Sequence, residues 1–418
     1  MRYFIIFLFV SCIISAAHAS DPPSIISIEA ESLNVAKYCQ FELNIELQTA
    51  VNQRYNYDSI VLSARFLAPD GTHYTVDGFY FQDYIPVGNG LLQTNGDPFW
   101  KIRFSPTQAG TWIYNVTISD AFGIDSIVNQ SFSCFNGDNG GFVKQAPNKS
   151  FLINDEGQSV FLVGENIAWA NAPDGSDQMT YYLQKLQAHE MNFAKLMMTP
   201  WCYQIEWEGG LRNYAPRQKQ AFLMDSIFDL SNDYGIYLQI AFSIHNELSF
   251  GYPAEDWTSN PYNIANGGMC TDPKEFFSNP KAKSAFKNRL RYLLARWGYA
   301  SNLIGWELLS EADNFPYYSQ SSNQIANWSN EMASYLKQYD VNQHLVSVGF
   351  ALPKNNPAVW NAADIGFTQM HLYNNVGDIE GDVFRQIGMY LKKYNKPVLI
   401  GEFGLGHIGD TLVKWDPD

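Results

Sequence analysis

The chain is short of positive charge. Its 27 Lys and Arg stand against 42 Asp and Glu, a formal net charge of -15. That is the wrong sign for holding a phosphate backbone by counterion release, so nucleic acid is excluded as a partner. After the N-terminus no apolar run approaches the ~20 residues that span a bilayer, and no transmembrane segment is expected. Histidine is scarce: there are seven, with no HExxH and no EF-hand loop, and His344, His371 and His407 sit on different segments. No metal centre and no cofactor is implied. None of the five cysteines forms a CxxC pair, which removes the common zinc and redox patterns. A glycine-rich nucleotide loop is also missing, since Val163-Gly164-Glu165-Asn166 closes the first candidate strand of the longer half.

What the chain has in quantity is apolar and aromatic residues. Of 418 residues, 46% are hydrophobic and 17% charged, which is the composition of a folded protein. Flat rings beside carboxylates and amides suit a sugar-binding surface, and 11 Trp, 25 Tyr and 28 Phe supply them. Residues 1–19 read as an export signal: Arg2 gives a short positive region, Tyr3 to Val10 an apolar one, and Ala17-His18-Ala19 a small-x-small cleavage site. A secreted or periplasmic protein is expected. Lipid anchoring through Cys12 is the weaker alternative, because Phe9-Val10-Ser11 matches a lipobox poorly. In an oxidising compartment Cys39 and Cys134 could pair or remain as free thiols.

Two patterns divide the mature chain. Residues 20–139 show short alternating runs separated by turn signals, as in Phe41 to Leu47 and in Ile60 to Phe66 before Pro69-Asp70-Gly71. Trp100 to Pro106 and Thr111 to Ser119, around Gln108-Ala109-Gly110, read as a second hairpin. About seven such strands predict an antiparallel β-sandwich. After the polar break at Phe135 to Gly141, apolar runs alternate with helical spacing over residues 140–418. Strands are expected at Val160 to Gly164, Asn192 to Met198, Ile236 to Phe242, Leu303 to Leu309, Leu345 to Phe350, Ile365 to Leu372 and Val398 to Gly401. This is the grammar of an α/β fold, a (β/α)8 TIM barrel. The residues after Glu402 are too few for both a helix and a strand, so the barrel is expected to be C-terminally incomplete, truncated before its eighth strand.

In such barrels the carboxyl ends of the strands face the reaction site. The fourth strand, in GWELLSEAD, delivers Glu311, and the seventh, in PVLIGEFG, delivers Glu402. Two carboxylates on nearly opposite strand ends are what glycosidic cleavage needs, one to protonate the leaving oxygen and one to attack the anomeric carbon. Glu307 shares parity with Glu311 and is expected inside the barrel, neutralised by Lys195. Trp169 and Trp201 follow the first two strands, where platforms would stack on sugar faces.

Residues 148 to 409 resemble a clan A glycoside hydrolase of the family 5 group of cellulases and mannanases, on the combined strength of WELxxE and GEFG. The resemblance implies a retaining enzyme with Glu311 as acid/base and Glu402 as nucleophile, acting on a β-linked polysaccharide or oligosaccharide. It implies a subsite histidine at His245 and a sixth-strand pair at His371 and Tyr373. The first domain, with WKIRFSPTQAGTW, is similar to the immunoglobulin-like modules that precede such barrels. Two positions depart from the pattern. Ser310 stands where the family has Asn, and Lys195 where it has Arg, so both are substrate contacts of altered reach. With Glu311 buried near Glu402, its pKa is expected to be raised. The rival reading is a non-catalytic carbohydrate-binding protein derived from such an enzyme.

Overall fold

The computed structural model describes residues 21–88, 91–170, 176–251, 256–353, 356–373 and 378–404. The export segment, Cys12, His407 and any eighth strand of a barrel lie outside the described residues.

Two sheets form the first half. One orders Ser24–Ala30, Phe41–Gln48, Phe99–Phe104 and Phe79–Phe81; the other orders Asn34–Ala36, Gly123–Phe135, Gly110–Asp120, Ile60–Leu67 and His73–Asp77. All pair antiparallel except Asn34–Ala36, which runs parallel to the end of its neighbour. Alternation puts Phe41, Leu43 and Ile45 opposite Leu62, Ala64, Phe66, Trp112 and Tyr114 in one apolar core. Gly71 at φ +89 makes the turn expected after Pro69-Asp70. The expected second hairpin is not one. Phe99–Phe104 and Gly110–Asp120 lie in different sheets, so residues between them cross the sandwich. Phe99–Phe104 is buried on both faces, with Trp100, Ile102 and Phe104 in the sandwich core and Lys101 and Arg103 under the barrel. All four described cysteines are free, so Cys39 and Cys134 are not bonded.

The second half is a parallel barrel of strands β1 (Gly164–Ala168), β2 (Phe193–Met197), β3 (Tyr237–Ala241), β4 (Leu303–Glu307), β5 (Leu345–Ser347), β6 (Thr368–Tyr373) and β7 (Val398–Gly404). The strands β1 to β5 form one ladder in sequence order, and β6 pairs with β7. Gly366 N–H to the Val346 carbonyl (2.7 Å) and His371 N–H to the Phe350 carbonyl (2.8 Å) join the two groups. Strand β1 starts where the sequence reading had it end. Val160 instead pairs antiparallel with Leu152 in a small sheet that closes the bottom of the barrel over Phe193, Ile304 and Phe367. Gly164 then passes so close to the Phe193 carbonyl that a Cβ would collide with it.

Outside the strands lie α1 (Ser176–Ala188), α2 (Gln218–Asp233), α3 (Pro280–Trp297), α4 (Tyr318–Tyr339) and, before β7, the helix Ile379–Tyr394. Asn279 caps α3 by accepting from Lys281 N–H, with Pro280 at the first position. Phe286, Leu290 and Leu293 of α3 enter the barrel core, while Asn288 and Arg291 reach the sandwich. Asn288 accepts from Tyr57 N–H (2.8 Å), and Arg291 grips Asp77 through two bonds of 2.8 Å. Below them Arg103 joins Glu42 to Asp225 of α2, which Arg296 also holds.

Candidate active site

Polar side chains fill the upper barrel interior where apolar layers would otherwise be expected. Gln239 on β3 donates to Gln369 on β6 (2.6 Å) and to Glu307 on β4 (3.3 Å). Glu307 is fully buried, and the Lys195 ammonium lies 3.0 Å from it, as the sequence parity required. Gly349 leaves room here, since a Cβ would strike both the Glu307 carboxylate and the Glu311 backbone.

Above this layer the chain turns sharply out of β4. Glu311 sits at φ +52, left-handed for a residue with a side chain, and opens a short helical turn through Asn314. Its carboxylate meets His371 Nδ1 (3.1 Å), Asn314 Nδ2 (2.9 Å) and His245 Nδ1 (3.4 Å). Glu402 lies within β7 rather than at its tip, paired in register with His371. It accepts from the Tyr373 hydroxyl (2.7 Å) and lies 3.4 Å from both His371 Nδ1 and Lys195 Nζ. One oxygen of each acid and a His371 ring nitrogen all lie within 4.8 Å of one another. This is the one group of described residues close enough to hold a cation, and the buried Lys195 ammonium already places a positive charge against it.

Burial alone would push the Glu311 carboxyl up. The hydrogen bond from His371, the imidazoles of His371 and His245 when charged, and the Asn314 amide outweigh that and hold it below its usual value. The expected upward shift is therefore corrected: the neighbours that orient the acid also favour its ionised form. Burial lowers His245, partly opposed by the charge of Glu311, so its ring stays neutral near pH 7. Tyr373 is raised by burial and by the Glu402 charge, and keeps its proton as a donor.

The remaining expected contacts divide into two sets. Trp169 and Trp201 stand half-exposed beside the cleft floor of Met197, Ala241 and Ile244, with their rings edge to face at 5.3 Å. Tyr203 and Trp207, further along the same loop, are buried. Lys195, Ser310 and His371, also expected to meet the sugar, are all buried. Lys195 donates to Ser310 Oγ (3.2 Å), so the serine that replaces an amide turns down into the barrel. Asn314, which sequence reasoning missed, touches the acid directly. Its only signal was a position one helical turn after Glu311.

The family profile described as Cellulase (glycosyl hydrolase family 5) matches residues 153–415. The chain belongs to glycosyl hydrolase family 5. It is thereby an O-glycosyl hydrolase, with Glu311 and Glu402 inside the matched span. The family 5 chain is 25% identical over 304 residues to mannan endo-1,4-beta-mannosidase 1 of Arabidopsis thaliana, covering 61% of this chain and 69% of that one. Against mannan endo-1,4-beta-mannosidase 4 of Solanum lycopersicum it is 26% identical over 308 residues, 62% of this chain and 73% of the relative. A crystal structure from Bacteroides vulgatus, provisionally described as a glycoside hydrolase, superposes with a TM-score of 0.60 at 18% identity. It covers 87% of this chain, which spans 64% of that protein, and the likeness is one of fold. Residues 34–119 match a family described only as a domain of unknown function (DUF5060). Among the described residues no helix is long and apolar enough to cross a membrane.

Proposed function

We propose that this family 5 chain is an exported, retaining, endo-acting β-glycoside hydrolase whose substrate is a β-linked mannan, with residues 140–418 catalytic and the immunoglobulin-like residues 20–139 accessory. The observation that carries the reading is the spacing of the acids. Oxygens of Glu311 and Glu402 within 4.8 Å leave no room for a water to attack from the opposite face; retaining enzymes hold their carboxyl groups ~5 Å apart and inverting ones wider. The names of the plant relatives support mannan as the polymer.

Glu402, oriented by Tyr373, attacks the anomeric carbon while Glu311 gives its proton to the departing oxygen. Glu311, now a base, then takes a proton from the water that releases the glycosyl group. Trp169 and Trp201 offer the sugar its stacking faces.

The test separates the two acids. Glu402→Gln abolishes formation of the glycosyl-enzyme. Glu311→Ala loses only proton transfer, roughly 100-fold to 10,000-fold on mannohexaose. It still accumulates the intermediate from a dinitrophenyl mannobioside and is rescued by azide. Azide rescue of the Glu402 variant with inverted product exchanges the two roles. Binding of mannan by the unaltered enzyme with no reducing sugar released defeats the hydrolytic reading in favour of a binding protein.

A further inference from the structure

The ammonium of Lys195 is fully buried and surrounded by four acceptors on three strands. Glu307 Oε2 stands at 3.0 Å, Ser310 Oγ at 3.2 Å, and His371 Nε2 and Glu402 Oε1 each at 3.4 Å. An ammonium has three donors and no acceptor. A ring nitrogen facing it must present its lone pair, and the proton of the neutral imidazole then resides on the other nitrogen. That nitrogen, Nδ1, faces Glu311 Oε1 at 3.1 Å and Glu402 Oε2 at 3.4 Å, both acceptors. The two ends of the ring therefore ask for the same tautomer. A guanidinium would commit its planar fork to one carboxylate, whereas the tetrahedral ammonium can serve β4, β6 and β7 together.

The geometry points to Lys195 as a positioning residue that fixes the imidazole proton of His371 on Nδ1, between the two catalytic carboxylates. The inference rests on the assignment of Glu311 and Glu402 above. The charged and titratable groups facing the ring are Lys195 of β2, Glu311 following β4, and Glu402 of β7; His245 after β3 and Tyr373 of β6 contact the two acids from outside. The ammonium 3.4 Å from Nε2 is met by that nitrogen's lone pair. Oε1 of Glu311 faces Nδ1 at 3.1 Å, and Oε2 accepts from Asn314 Nδ2 at 2.9 Å. The proton that Glu311 delivers passes to the leaving oxygen in the first step and is replaced from water in the second.

Proton–nitrogen correlation spectra of nitrogen-labelled histidine test this on the intact enzyme. The signal lost in His371→Gln is expected to show a protonated Nδ1 and a bare Nε2. Lys195→Met combined with Glu307→Gln removes the cation and its buried counter-charge together, so no stranded carboxylate unfolds the barrel. In that double variant the ring is expected to populate both tautomers. Its kcat/KM on mannohexaose falls about 100-fold, and on a dinitrophenyl mannobioside, which needs little protonation, by less than about 10-fold. Glu307→Gln alone, which leaves the ammonium in place, keeps the original tautomer. Persistence of the single Nδ1–H form in the double variant, or equal losses on both substrates, overturns the inference. A bare Nδ1 in the unaltered enzyme also overturns it and leaves the roles of the two acids standing, since azide rescue decides those independently.

Discussion

Two clusters of buried charge, one between the domains and one in the barrel, solve opposite problems. Between the domains, Glu42 and Asp225 face Lys101, Arg103 and Arg296, and each carboxylate is satisfied by short bonds. Asp225 takes Arg103 at 2.8 Å, Arg296 at 2.6 Å and the Trp297 indole at 2.7 Å. In the barrel, Glu307 and Glu402 share one ammonium, at 3.0 and 3.4 Å, while Glu311 is met by His371, His245 and Asn314. Where charge has a structural role each buried carboxylate is saturated by cations. Where a proton must leave and return, the acids are under-neutralised and the donors are divided among them. Burial is common to both clusters, so burial alone does not mark the reacting one.

The sharpest way to break this contrast is to remove one partner from each side. Asp225→Asn leaves Arg103 and Arg296 facing each other and should cost about 3–5 kcal/mol of stability in denaturant unfolding, with kcat unchanged. A loss of kcat with stability intact would make the domain interface part of the reaction machinery. Tyr373→Phe is its mirror image, removing a donor to Glu402 that is half-exposed at the cleft. The expected loss is about 100-fold in kcat, with stability changed by less than about 1 kcal/mol.

A third buried acid lies between the extremes. Glu247, two residues after His245 in the same short helical turn, is pushed up to about 7 by burial, with Arg289 and the Ile244 N–H only partly offsetting it. Because the folded carboxyl holds a proton that the unfolded chain releases at about 4.5, stability should fall as pH rises from about 4.5 to about 7, by about 3 kcal/mol in total. Glu247→Gln should flatten that slope in unfolding measured across the window; an unchanged slope assigns it to other groups. The smallest effect is expected at Asn314. Asn314→Ala removes a donor to ionised Glu311, so the acid holds its proton to higher pH and the alkaline limb of kcat/KM shifts upward by about one unit. A downward shift reverses the sign of that contact.

The two acids were legible because strand ends in a barrel face one way, so apolar runs ending in glutamate report position as well as composition. The second hairpin was misread because Phe99–Phe104 alternates only in kind: Lys101 and Arg103 look solvated and are buried, Lys101 on Glu42 and Arg103 against Asp225 of the barrel. The start of β1 was misread because Val160 to Gly164 is apolar enough for either sheet it might join, and only the Val160 to Leu152 pairing decides between them. Lys195 and His371 were found as residues, but the contact between them was not, since a sequence carries no record of which side of a carboxylate a neighbour occupies.

The doubly buried strand Phe99–Phe104 also bears on the order in which the molecule is made. Arg103 is synthesised 122 residues before Asp225 and 193 before Arg296, whose carbonyl it also binds. At the ~5–20 residues per second of translation, its first barrel partner follows roughly 6 to 24 seconds later. Through that interval the nascent sandwich presents Phe79 and Phe81, which later join the barrel core, together with an arginine that has half its counter-charge. The accessory half is therefore first to appear and last to be completed, and its unfinished face is the surface a chaperone would have to cover.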